Sequence, residues 1–544
     1  MIREEIQKRL KKLVNKGVNF DVSFAPQDFG DYSSNIALVE AKTRGQNPMD
    51  VASEIIADLK KDKKFFGLFS DITTAKPGFI NFHLGPKVLR EELQQVLKKN
   101  EKYGSTKTGK GKKVNIEFVS ANPTGPLTLG NGRSAAYGES LTRMFNFFGY
   151  RTTKEYFLND LGRQVRLLGE SVARKYLGLH GKMVDYPEEM YQGEYILDIA
   201  KDFKEEKAYH GSLEDFESLV SAAQEYALEK MAKSIKDSLA KFGVKHDVWF
   251  PESELESKGE IDKVLYNLNV NNLSYEKDGA LWFKASDFGF DSDVVIKKST
   301  GFTTYLLSDF AYARDKLKRG FDLMIYILGA DHHADVARIK SGLRAMKLPE
   351  EKFKFLIYQL VTLIEKGEQI RMSKRAGRFV TLEELLKEVP ADVVKFFFLA
   401  KSMDSHVEFD LDLAKEESNK NPVYYIQYAY VRMQSILRKA KELKIKTEKK
   451  IAKKAIWEKE EAGLIKELIR FPEVLTDVGQ SLQIHQLTGY LSGLAGKINR
   501  FYENHKVIGA EKEKERSRLT LVQASVIVLR NGLTLLGLSL PEKM

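Results

Sequence analysis

Hydrophobic and polar positions change period along this chain, and the periods predict a mixed architecture. Ile2, Ile6, Leu10, Leu13 and Val14 recur at helical spacing, so residues 1–17 read as an amphipathic helix, and 48–61 read likewise. Gly78-Phe79-Ile80-Asn81-Phe82 reads as a short strand, which makes 1–100 a small α/β or α+β unit. The polar run EKYGSTKTGKGKK at 101–113 reads as a linker. Strand and helix patterns then alternate, with a strand over 114–119, a helix over 131–148 and a strand over 152–157. A second series follows: a strand at 294–297, a helix at 303–317, a buried strand at 323–329, a helix to about Met346 and a strand at 353–358.

Two βαβ halves with a mostly helical segment between them, near 165–285, describe an α/β fold: a Rossmann-like, doubly wound parallel sheet carrying an insertion. From about Asp392 no strand pattern is seen. Helical periods at 421–440, 456–471, 481–504 and 513–537 predict an all-α bundle. The expected domains are 1–105, 106–395 and 396–544. Residues 521–540 are the most apolar late stretch, but Gln523, Arg530, Asn531 and Gly532 interrupt them, so a buried terminal helix fits better than a membrane span.

At 544 residues, three or so domains are expected. A formal charge of +11 favours a polyanionic partner such as nucleic acid over a merely basic surface. The lysine-dominated segment 438–454 reads either as a solvated helix end or as a phosphate-contacting surface. The chain has no cysteine, which excludes disulfides and thiolate zinc sites and fits a reducing compartment. Its amino terminus is charged from the third residue and shows no signal-peptide pattern.

Candidate chemistry concentrates in VNIEFVSANPTGPLTLGNGR at 114–133. A strand, a glycine turn and a helix amino terminus converge there, so unpaired N–H groups and the helix dipole offer a phosphate site. A second segment, Arg371-Met372-Ser373-Lys374-Arg375-Ala376-Gly377, follows the second βαβ half. It reads as a basic loop able to close over a nucleotide, its lysine neutralising triphosphate charge. Gly329-Ala330-Asp331-His332-His333 joins a buried strand to a helix. With Asp335 it also admits a metal-site reading, which lacks a further ligand cluster.

The chain resembles the arginyl-tRNA synthetase family, of class I, nearly end to end. The family's E-x-S-x-N-P-x-x-P-L-H-x-G-H-x-R motif is met by Glu117, Ser120, Asn122, Pro123, Pro126, Leu127, Gly130 and Arg133. MSKRAG at 372–377, with Val380-Thr381-Leu382 after it, is similar to the second motif. Asn421-Pro422-Val423-Tyr424-Tyr425 with Gln427-Tyr428-Ala429 resembles the opening helix of the family's anticodon-binding domain. Gly30-Asp31-Tyr32 and Gly78-Phe79-Ile80-Asn81 resemble its additional tRNA-core-binding domain.

The resemblance implies ATP-dependent activation of L-arginine to arginyl-adenylate and transfer of the arginyl group to the 3′ end of tRNA(Arg). It implies ATP with Mg2+ as the only cofactor, no zinc, no membrane, a monomer and a cytoplasmic location. Arginine binding falls to Glu117, Ser120, Asn122, Tyr305 and Asp309, since a permanent planar cation needs carboxylates. ATP binding falls to Gly130, Asn131, Gly329, Asp331, His332, Met372 and Lys374. The catalytic set is Thr128, Gly130, Asn131, Ser373 and Lys374. Contacts to tRNA fall to Asn35, Tyr424, Gln427 and Tyr428, with burial of the tyrosines as the competing reading. Asn159-Asp160, Gly162 and Gln164 resemble a segment near the active site.

The chain departs from the family at Thr128 and Asn131, where two histidines are usual. Threonine and asparagine can also donate hydrogen bonds, so neutral donors can replace the imidazoles. A non-catalytic tRNA-binding paralogue is the competing reading, and a class I synthetase for another amino acid is a third. Arg371 stands where lysine is frequent, which makes Lys112 or Lys113 the expected helper upstream. Arg378 replaces a more usual asparagine.

Overall fold

The computed structural model describes residues 1–15, 17–370, 381–445, 451 and 457–544. At the amino-terminal end, strands Val22–Phe24, Tyr32–Ser34, Phe79–Leu84 and Phe69–Ala75 form, in that order, an antiparallel sheet. Helices Pro48–Lys61 and Pro86–Lys99 pack against it. Asn47 caps the first of these through its side chain, and Pro48 occupies the first turn, where a missing N–H costs nothing. The opening helix is shorter than its period suggested: it is Ile2–Leu10, and Leu13 and Val14 reach the core from a turn.

The central sheet has five parallel strands: β1 (Lys113–Phe118), β2 (Arg151–Leu158), β3 (Val248–Pro251), β4 (Leu323–Gly329) and β5 (Phe353–Tyr358). Their spatial order is β5-β4-β1-β2-β3. The chain runs outward from β1 on one side, then returns to β4 and runs outward on the other. The switch point therefore lies between the carboxyl ends of β1 and β4, where such sheets bind ligands.

Three short strands overturn parts of the sequence reading. β3 lies inside the expected insertion yet completes the central sheet. Val294–Lys297 is not in that sheet; it pairs antiparallel with Ala280–Phe283, which pairs with Ser274–Lys277. Of its four residues only Ile296 is buried, so its apolar run covers one side of a small meander. Beyond residue 392, Val407–Asp410 pairs parallel with Val361–Glu365, which also pairs with Glu368–Ile370. Four residues are too few to show a period.

Helix α1 (Leu129–Phe147) links β1 to β2, α2 (Tyr305–Lys318) precedes β4, and α3 (His333–Ala345) links β4 to β5. Gly138 lets α1 lie directly on β1, because a Cβ there would stand 2.2 Å from the Phe118 ring. The carboxyl-terminal bundle comprises α4 (Pro422–Glu442), α5 (Lys459–Ser481), α6 (His485–Asn504) and α7 (Lys512–Leu535). Among the described residues no helix is long and apolar enough to cross a membrane.

The three regions are bolted together. Arg3 forks onto Asp477 at 2.6 and 2.8 Å, and Lys466 reaches Asp31 at 2.9 Å. The 101–113 run is anchored as well: Tyr103 is buried and stacks on Phe471 of α5. From α1, the Tyr137 hydroxyl donates to Leu482 O at 2.7 Å and accepts from Ile484 N–H at 3.1 Å, and Ser140 donates to Leu535 O at 3.0 Å.

Candidate active site

The loop leaving β1 turns sharply, with Val119 at φ +71° and Ser120 at +36°. A β-branched residue with positive φ is strained, and strain of this kind persists only when neighbours over-determine it. Here Val119 N–H donates to Ser134 Oγ at 3.0 Å, and Ser120 Oγ accepts from Phe157 N–H at 3.1 Å. The Tyr156 hydroxyl donates to Ala121 O at 2.6 Å. The turn brings Ser120 back over its own strand, where its hydroxyl donates to Glu117 Oε1 at 3.1 Å. Asn122 closes the loop against the next segment: Asn159 donates to its oxygen at 2.5 Å, and its amide donates to Gln164 at 2.6 Å.

Beneath this loop lies a dense set of charges. β1 and β2 run in register, so Glu117 and Glu155 are neighbours on one face, with Tyr326 of β4 on the other side of Glu117. Lys316 of α2 reaches Glu117 Oε2 at 2.5 Å, and Arg319 forks onto Glu155 at 2.6 and 2.8 Å. Tyr305, Asp309, Tyr312 and Lys316 share one face of α2 at helical spacing. Tyr305 stays largely exposed, and its hydroxyl lies beside Gly162. Asp309 is the acid of the group that lacks a cation. Its carboxyl is pushed up to about 8, by burial first and then by Glu117, Asp335 and Glu252, with Lys316 pulling it back. Glu252, just after β3, is buried with one oxygen unpartnered, and burial raises its carboxyl too. A cluster this rich in acids raises the pKa of its members and favours a nearby cation.

The helix amino terminus stands next to it. Thr128 caps α1, and the cap is a reciprocal box. Asn131 N–H donates to Thr128 Oγ at 3.3 Å, while Thr128 N–H and Oγ both donate to Asn131 Oδ1 at 2.9 Å. The two residues in place of the usual histidines are therefore engaged with each other. Among the described residues no acceptor meets the Leu129 and Gly130 N–H groups, and the Asn131 amide is left to the Tyr358 hydroxyl. Tyr358, at the end of β5, spans the crevice: its ring lies 3.3 Å from where a Gly130 Cβ would be, and its hydroxyl 3.5 Å from the same point on Gly329. That hydroxyl is pushed up to about 12 by burial and Asp331, against the pull of Asn131. Arg133, fully buried one turn into α1, donates to the carbonyls of Gln359, Ser405 and Ser402 at 2.6 to 2.9 Å.

The remaining expected residues fall in several places. Gly329, Asp331 and His332 line the far side of the crevice, with His332 Nδ1 3.1 Å from Asp335, which Arg338 also binds at 2.8 Å. Among the described residues no three His, Asp or Glu side chains form a metal-holding group. Met372, Ser373 and Lys374, with Arg371 and Arg378, lie outside the described residues. The chain just after them is fixed on the first motif, because Leu382 N–H donates to Leu127 O at 2.8 Å.

Lys112 and Lys113 sit at the amino-terminal end of β1, about 20 Å by strand rise from the Thr128 loop, so neither helps there. Gln427 is also misassigned. It is buried and donates to Asp392 at 2.9 Å and to Ser539, which makes it a tie within the protein. Tyr424 and Tyr428 stack at 5.9 Å on a half-exposed face, continued by Arg432 over Tyr428 and Tyr502, whereas Tyr430 is buried. Asn35 caps Ile36–Arg44 by position and accepts from Asp21 N–H at 2.8 Å. Glu155, Glu252, Lys316 and Tyr358 went unnoticed in the sequence. Only the helical spacing of Lys316 on α2, four residues after Tyr312 and seven after Asp309, carried a signal.

Models of three protein families match the chain. They are the Arginyl tRNA synthetase N terminal domain over residues 1–84, the tRNA synthetases class I (R), catalytic domain over 92–404, and the DALR anticodon binding domain over 426–544. The arginine–tRNA ligase of Oleidesulfovibrio alaskensis is 42% identical over 530 residues, covering 95% of each chain. That of Aquifex aeolicus is 39% identical and covers 100% of both. In fold, the chain is similar to the solved arginyl-tRNA synthetase of Thermus thermophilus, with a TM-score of 0.78 at 22% identity over 100% of both chains.

Proposed function

This chain belongs to the arginyl-tRNA synthetases of class I, and from that premise we propose how its residues divide the work of an arginine–tRNA ligase. The enzyme activates L-arginine with ATP, releasing pyrophosphate, and passes the arginyl group from the adenylate to the 3′ end of tRNA. Arginine enters the acidic crevice beyond β1. Its guanidinium is met by Asp309 and Glu117, with Tyr305 packing on it, and Ser120 and Asn122 hold the α-amino and carboxylate end. The observation that carries this assignment is Asp309 itself, a carboxyl among carboxyls with no cation of its own.

ATP lies across the switch point. The Leu129 and Gly130 N–H groups and the Asn131 amide point at its phosphates, and the Gly329–His332 turn receives the adenosine. Magnesium bound to the triphosphate would offset part of its charge, and Ser373 and Lys374 of the second motif would complete the phosphate contacts. Thr128 shapes the amino terminus of α1 through the box, leaving Asn131 as the side-chain donor. No proton transfer is asked of either residue.

The regions 1–105, 106–395 and 396–544 then act as core-binding, catalytic and anticodon-reading domains. Tyr424 and Tyr428 offer a stacking face to unpaired anticodon bases, and Asn35 contributes to the tRNA core. The partner is tRNA(Arg), and the enzyme works as a cytoplasmic monomer. Steady-state arginylation of Asp309→Ala tests the pocket: the KM for arginine rises far more than the KM for ATP. Equal rises in both would remove Asp309 from the arginine site.

A further inference from the structure

Glu117 poses a problem of charge. The register that sets it beside Glu155 puts two carboxylates on adjacent strands, roughly 5 Å apart by strand spacing, on a buried face. Glu155 is satisfied from the side, by both nitrogens of the Arg319 fork and by the Tyr312 hydroxyl at 2.5 Å. Glu117 has one oxygen on Ser120 and the other on Lys316. Lys316 is wholly buried, 4.0 Å from Glu155 Oε1, and its ammonium is sandwiched between the Tyr312 and Tyr326 rings at 4.2 and 3.8 Å. Such a cation is held in one position by four walls.

We propose that Lys316 is a positioning residue of the arginine pocket, fixing one oxygen of Glu117 and cancelling its charge so that the pocket accepts a single cation. The proposal rests on the assignment of Glu117 and Asp309 to arginine. With Lys316 in place, Glu117 turns only its Ser120-bonded oxygen toward the loop, and Asp309 on the same helix face is left without a cation bonded to it. Without it, Arg319 still holds Glu155, but Glu117 keeps only the Ser120 hydroxyl and is free to swing. The groups facing Asp309 are Glu117 of β1, Glu252 after β3, Asp335 of α3 and Lys316 of its own helix. Those facing Lys316 are Glu117, Glu155, Arg319, Tyr312 and Tyr326.

The test is calorimetric titration of L-arginine into the full-length protein with its tRNA, over a range of pH, together with the KM for ATP. Lys316→Met is expected to weaken arginine binding about tenfold or more at pH 7, as loss of a buried charge partner does, and to leave the ATP KM within about twofold. It also moves the pH midpoint of arginine binding upward, because Asp309 loses its one nearby cation. Lys316→Arg keeps the wild-type midpoint. The double variant Glu117→Gln with Lys316→Met removes both members of the pair, a change buried pairs often tolerate, and moves the midpoint below wild type. A folded Lys316→Met protein with wild-type affinity and midpoint overturns the proposal. If that variant does not fold, a double variant whose midpoint stays at or above wild type overturns it equally. If the wild-type protein itself binds no arginine, the pocket assignment is what has failed.

Discussion

Arginine binding should depend on pH through Asp309, in a direction the structure fixes. The Asp309 carboxyl is pushed up to about 8, by burial and then by Glu117. A guanidinium pairs with the carboxylate and not with the acid, so apparent affinity scales with the ionised fraction. That fraction is about 1% at pH 6, about 9% at pH 7 and about 75% at pH 8.5, so the dissociation constant should fall roughly 75-fold from pH 6 to pH 8.5. Below the midpoint the slope is about one decade per pH unit, and each arginine bound at pH 7 releases close to one proton. Titration calorimetry in two buffers of different ionisation enthalpy reads both quantities. Asp309→Asn should flatten the profile and weaken binding by about 2 kcal/mol or more at pH 8.5. The same shift acts on stability. The folded carboxyl is raised above its unfolded value, so between about pH 4 and pH 8 the native state holds a proton the unfolded chain lacks, and stability falls as pH rises through that window. Asp309→Asn should therefore raise Tm at pH 8. A dissociation constant constant to within twofold from pH 6 to 8.5, with no proton release, would refute the reasoning.

Further outcomes follow from the geometry. Thr128→Ala breaks the capping box and should cost about 1 kcal/mol of stability, measured by urea unfolding, whereas Asn131→Ala should in addition lower the rate of arginine activation, because it removes the amide donor. Neither residue titrates, so the pH–rate profile of activation should carry no ionisation from this motif. Tyr428→Ala should weaken tRNA binding by about 1–3 kcal/mol and leave arginine binding without tRNA unchanged, as seen by filter binding beside calorimetry. Gln427→Ala, which strips a donor from Asp392, should instead lower Tm and leave tRNA affinity near wild type.

The sequence and the structure agree wherever an element is long or a motif is continuous. The parallel sheet, the helix after the 114–133 motif and the carboxyl-terminal bundle were legible because apolar runs and helical periods extend over many residues. β3 and Val294–Lys297 were misread because four residues can pair in either sheet, and only the chain's path decides. The amino-terminal helix was overextended because Leu13 and Val14 pack on the core from a turn, which leaves the same apolar spacing. In the site, Glu117 was expected from a motif and Asp309 from the family resemblance, but Lys316 had neither. Its proposed role arises from strand register, which puts Glu117 beside Glu155, and register is a property of pairing between segments 38 residues apart. Gln427 was misjudged for a related reason: a glutamine in an aromatic helix looks like a reader of bases until the partner that buries it, Asp392, is seen.

The central claim is that this chain, with Thr128 and Asn131 where imidazoles are usual, catalyses ligation. Incubation of the purified protein with radiolabelled L-arginine, MgATP and tRNA(Arg) measures that directly. The account predicts arginyl-tRNA and AMP formed in equal amounts, with turnover abolished when ATP is withheld. Binding of tRNA with no arginyl-tRNA and no AMP would contradict it.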